Sequence, residues 1–116
     1  MKRFAHYCAA VFLFCAGPAW AHAILMGAIP AAHQVVSGKN VPIKLRFNSR
    51  IDGKRSRVTL LGPDGRERPL TMDQQPAPDT LTAKAEGLPP GQYILRWQVL
   101  AADGHITRGE VPFQAQ

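Results

Sequence analysis

The sequence predicts an all-β domain, a single Greek-key sandwich or barrel of about seven strands. Three observations carry this. No helical apolar period of useful length appears after the first twenty residues. Ten prolines and ten glycines punctuate the 116-residue chain at short intervals, as turns do between short strands. Two segments alternate apolar and polar side chains at the two-residue period of a strand with one buried face.

The first of these is 41–47, with Val41, Ile43, Leu45 and Phe47 on one face and Pro42, Lys44 and Arg46 on the other. The second is 92–100, with Tyr93, Leu95, Trp97 and Val99 on one face. Between them, 57–61 reads as a short strand. Pro63-Asp64-Gly65 reads as a turn, because Pro presets its backbone angle and Gly accepts positive φ. Residues 66–72 return as an edge strand, since Pro69 lacks the N–H that a central strand needs. Residues 74–79 form a loop around Pro76 and Pro78, and 80–85 a strand. Gly87-Leu88-Pro89-Pro90-Gly91 is a tight connection. After Asp103-Gly104-His105, residues 106–114 supply the last strand, with Val111 and Phe113 pointing one way.

The N-terminus reads as a secretory signal. Lys2 and Arg3 precede an apolar run over 4–14, Gly17 and Pro18 break it, and Ala19-Trp20-Ala21 has the small-x-small form of a cleavage site. The apolar run is shorter than the roughly 20 residues of a spanning helix. The expected organisation is a signal peptide over 1–21 and one β domain over 22–116. The mature protein is expected in the periplasm. Both cysteines, Cys8 and Cys15, fall in the signal, so the mature domain has no thiolate to offer a metal and no disulfide. Losing Lys2 and Arg3 lowers the formal charge from +6 to +4. The basic residues are scattered except over 50–57 and no nucleic-acid motif accompanies them, so nucleic acid is not expected as a partner. A solvated surface that an acidic partner can meet fits better.

Three histidines follow the expected cleavage site: His22, His33 and His105. A terminal His22 carries an α-amine and an imidazole, two nitrogens that can chelate one ion. The amine titrates near pH 8, so a metal can displace its proton in neutral solution. Asp103 and His105 are two apart, which in extended chain turns both to one side. The alternative is that Asp103-Gly104 is simply a turn. Three nitrogens and one oxygen suit a tetragonal copper(II) site, and zinc tolerates the same donors. His33, after Pro30-Ala31-Ala32, reads as an exposed loop residue. Met26 and Met72 read as core or gap-filling residues, and Arg96 as a solvated side chain opposite Trp97.

The chain resembles the CopC family of periplasmic copper-resistance proteins. The resemblance lies in His22-Ala23-Ile24-Leu25 with Pro30-Ala31, in 45–49 (LRFNS), in 90–93 (PGQY), in 96–105 (RWQVLAADGH) and in Gly109 with Phe113. It covers essentially the whole expected mature chain, in order. It implies an immunoglobulin-like or cupredoxin-like β-barrel and a copper(II) site of the histidine-brace type, made by His22 through amine and ring with Asp103 and His105. It implies copper storage, buffering or delivery in the periplasm, often beside a CopD-type inner-membrane copper transporter. A monomeric, non-enzymatic protein is expected, since four protein donors leave a four-coordinate ion little room for substrate. The chain departs from some relatives in lacking a Met-rich copper(I) loop and in carrying Ser49 where some have Glu. Two other functions share the same features. Copper monooxygenases use a histidine brace, but need an open metal position and a substrate face. A metal-free immunoglobulin-like module would need only the fold.

Overall fold

A computed structural model describes residues 23–116. The expected signal peptide and cleavage site, both cysteines and His22 lie outside the described residues. The strands are β1 (Leu25–Ile29), β2 (Val35–Val36), β3 (Val41–Phe47), β4 (Ile51–Leu61), β5 (Glu67–Pro69), β6 (Thr80–Ala85), β7 (Gly91–Ala101) and β8 (Ile106–Ala115). They form two sheets, one ordered β1-β3-β6 and the other β2-β8-β7-β4-β5. All neighbouring pairs are antiparallel except β2 with β8. This is the all-β sandwich that the turn spacing predicts.

Alternation decides which face of each strand is buried. In β3, Val41, Ile43, Leu45 and Phe47 are buried and the three residues between them exposed. In β7, Tyr93, Leu95, Trp97, Val99 and Ala101 point inward and meet Val58 and Leu60 of β4 and Val111 and Phe113 of β8. Phe47 of the smaller sheet meets the edge of Trp97 of the larger at a centroid distance of 5.1 Å and 74°. Tyr93 stacks on Phe113 at 5.5 Å. These aromatics are therefore core residues that tie sheet to sheet and β7 to β8.

Several expectations need correcting. The strand expected over 57–61 begins at Ile51, because 52–57 is an irregular stretch of the β4–β7 ladder rather than a loop. Asp52 makes it possible: its Oδ1 accepts from the amides of Lys54 and Arg55, at 3.1 and 3.3 Å. Buried Ser56 then donates to the Asp52 carbonyl at 2.6 Å and accepts from the Leu100 amide at 3.1 Å, standing in for a missing ladder bond. Strands β1 and β2 were not expected at all. Met72 packs against the core as expected, but Met26 is 55% exposed. It sits where the β1–β3 register shifts between Leu25 and Gly27, so the bulge leaves it in solvent. Arg96 does lie on the face opposite Trp97, but it is not simply solvated. It bridges Glu110 at 3.0 Å and Glu67 at 3.3 Å.

The turns follow their residues. In the 62–66 hairpin turn Gly65 takes φ 77°, and the Gly62 amide donates to the Arg66 carbonyl at 2.9 Å. Pro69 lies on the outermost strand of its sheet, β5, as the missing N–H requires.

Candidate metal centre

The turn between β7 and β8 holds Asp103 and His105. Antiparallel pairing runs to Leu100–Ile106, and the Ala101 amide then donates to the His105 carbonyl at 2.9 Å. Gly104 takes φ 87°, a conformation strained for any residue with a Cβ, and its amide donates to the Ala101 carbonyl at 2.9 Å. Asp103 closes the turn: its Oδ1 accepts from the His105 amide at 3.0 Å, and its Oδ2 lies 3.0 Å from His105 Nδ1. The two side chains do meet, but not through extended-chain alternation. Asp103-Gly104 is a turn, and the turn brings them together through the aspartate's bond to its own backbone.

That arrangement sets the electrostatics. The His105 amide, above all, holds the Asp103 carboxyl below its ordinary range, and hydrogen bonding and charge from the imidazole add to this against an opposing desolvation. Donation from Nδ1 to the carboxylate leaves Nε2 as the acceptor nitrogen of the ring, the tautomer that carboxylate–histidine pairs give to metal sites. The Asp103 and His105 side chains are 37% and 56% exposed.

The start of the described chain is held on the other side of one short loop. Ala23 is 2% exposed and packs in the core. The Ile24 amide donates to Asn48 Oδ1 at 2.8 Å, and the Asn48 amide donates to the Ile24 carbonyl at 3.0 Å. Two residues on, the Arg50 carbonyl accepts from the Ala102 amide at 3.1 Å, and Ile51 pairs with Ala101. Residues 48–50 thus tie Ile24 to the residue that precedes Asp103. Asn48 was missed as a positioning residue by sequence reasoning. The available signal is that Asn readily completes backbone turns with its side chain, here just past the end of a clear strand.

Below the turn, Trp97 lies across Gly109, its partner on β8. A Cβ at Gly109 would come within 2.3 Å of the indole, so only glycine fits there. The Trp97 Nε1, Ser49 Oγ and Thr107 Oγ1 are buried with no hydrogen-bond partner among the described residues. His33 is exposed, with φ 65°, and its amide bonds the Pro112 carbonyl at 2.7 Å. Pro112 is seven residues along from His105 toward the far end of β8, so His33 stands away from the turn. Among the described residues no group of three or more His, Cys, Asp or Glu side chains could hold a metal ion. Asp103 and His105 are a pair of donors, and the third candidate, His22, lies outside the described residues.

The architecture is that of an immunoglobulin-like β-sandwich with a donor pair displayed on one turn. Comparison with known proteins places it more narrowly. The family model for the CopC domain matches residues 25–116, and the chain belongs to the CopC family. It is similar to the protein YobA of Escherichia coli K12, with 30% identity over 100 residues, 84% of this chain and 81% of that one. Among solved structures, CopC from Methylosinus trichosporium OB3b superposes with a TM-score of 0.73 at 30% identity, covering 82% of this chain and 94% of that one. PcoC, a methionine-rich copper resistance protein from Escherichia coli, superposes at 0.64 with 24% identity, over 82% of this chain and 99% of its own, a likeness of fold.

Proposed function

We propose that this protein is an exported, non-catalytic copper(II) carrier of the periplasm that serves copper homeostasis and resistance. Its cargo is held by the α-amine and imidazole of a mature N-terminal His22 together with His105 and Asp103. The protein acts as a monomer and hands copper to an inner-membrane transporter of the CopD type. Membership of the CopC family supports copper as the cargo.

The observation that carries the reading is the tie through 48–50. Ile24 is bonded to Asn48 and Ala102 to Arg50, so the described chain begins tied to the loop that also holds the residue before Asp103, which supports His22 as a partner of that turn. A nitrogen-rich set with one carboxylate oxygen suits cupric ion, whose affinity for such donors exceeds that of zinc in the Irving–Williams order. The donors must shed protons to bind, so acid releases the ion.

The deciding experiment compares protein beginning at His22 with the same chain carrying one extra residue before it. Copper(II) affinity is measured by competition with a chelator of known strength. The extension removes the chelating amine, and affinity should fall by roughly 10–100-fold or more. Equal affinity of the two forms overturns the histidine-brace reading.

A further inference from the structure

One row of side chains near the metal turn plays no part in holding an ion. On the outer face of the larger sheet, Arg57 of β4, Gln98 of β7 and Arg108 of β8 are register partners and so point the same way. With strands about 4.8 Å apart, the two arginines start about 10 Å from each other. Arg108 Nε donates to Gln98 Oε1 at 2.9 Å. Gln98 Oε1, the one side-chain acceptor in the row, already takes that bond, and the other polar groups of the row are N–H donors. Arg57 makes no ion pair among the described residues. Two carboxylates line the same groove, Glu67 and Glu110; both are held by Arg96, and Glu67 also accepts from Thr59 at 2.7 Å. The row lines an open groove of about 500 Å³.

The groove has a direction. The next outward row on this face is Asp52, Leu100 and Ile106; the Asp52 carboxylate faces Arg55 at 3.8 Å, and Ile106 follows His105 directly. Ile106 is 53% exposed. Arg50 and Lys54 are exposed around the same end. At this end Arg50, Lys54, Arg55, Arg57 and Arg108 outnumber the carboxylates Asp52 and Asp103.

We propose that the Arg57–Gln98–Arg108 row is a docking strip for an acidic, extended segment of the protein that exchanges metal with the Asp103–His105 turn. The exchange rests on the copper reading above; the docking does not. Donors in line across three strands match carboxylates displayed along an extended chain, and a partner seated there is held one pleat away from the turn.

The test uses metal-free protein and a labelled octaglutamate peptide at low salt, so it succeeds or fails independently of copper binding. The variant R57E/R108E should bind the peptide roughly tenfold more weakly or worse, with copper(II) affinity unchanged. The control K39E/R66E carries the same charge change at the far end of the sandwich and should bind within a few-fold of the parent. Equal losses in the two variants would show a response to net charge alone and overturn the strip. So would binding of phosphatidylglycerol vesicles through Arg57 and Arg108 in preference to the peptide.

Discussion

Asn48 and Ile24 hold each other twice: the Ile24 amide donates to Asn48 Oδ1 at 2.8 Å, and the Asn48 amide donates to the Ile24 carbonyl at 3.0 Å. A chain end frays unless it is tied, and this pair ties the chain just after the residue proposed to bind metal. Asn48→Ala removes the side-chain bond and keeps the backbone bond. It should cost about 1 kcal/mol of stability and weaken copper(II) several-fold, read by thermal melts and competition titration. Asn48→Asp, which keeps the accepting oxygen, should retain most of both. An alanine variant with full copper affinity would show that the start of the chain needs no tether.

Ser56 bridges the irregular stretch of β4, donating to the Asp52 carbonyl and accepting from the Leu100 amide. Ser56→Ala leaves that half-buried amide without its partner, at a cost of about 1 kcal/mol. Faster hydrogen exchange at Leu100 should accompany the loss. Slow exchange there would mean another acceptor replaces the hydroxyl.

Gly109 makes room for the Trp97 indole, since a Cβ there would lie 2.3 Å from the ring. Gly109→Ala forces the indole or β8 to move and should destabilise the fold by about 1–3 kcal/mol in denaturant titrations. Adding Trp97→Phe, a smaller ring, should recover part of that loss. If the double variant is no better than the sum of the singles, the clash is not with the indole.

Asp103 is held below the ordinary carboxylate range chiefly by the His105 backbone amide. A depressed folded-state value means the ionised form is favoured by folding. That stabilisation is fully present above the unfolded value and is lost as pH falls through the folded one. In metal-free protein followed by NMR, the Asp103 carboxyl should therefore titrate at lower pH than an unstructured aspartate. In His105→Ala most of the depression should survive, because the amide remains. Return of Asp103 to its ordinary range in that variant would make the imidazole the cause.

Much of the fold is legible in the sequence because one rule governs it. Where a strand has one wet face and one dry face, the side chains alternate, and β3 and β7 show this directly. β1 does not alternate: 24–29 reads ILMGAI, and the bulge between Leu25 and Gly27 breaks any period. Met26 was misplaced in the core for this reason, since hydropathy alone does not reveal an edge-strand bulge. The first half of β4 was missed because Asp52, Gly53, Lys54 and Arg55 look like a loop. Their pairing depends on Ser56 and on a β7 residue distant in sequence.

The sequence by itself determined the β class, the inward faces of the main strands and the identities of the candidate donors, His22, Asp103 and His105. These follow from local periodicity and from the chemistry each side chain carries wherever it sits. Only the tertiary structure decided how Asp103 meets His105, that His33 stands toward the other end of β8, and that residues 48–50 link the start of the described chain to the Asp103–His105 turn. Those are relations between segments far apart in sequence. They exist only once two sheets close on one core and backbone groups without a ladder partner find one across the loop.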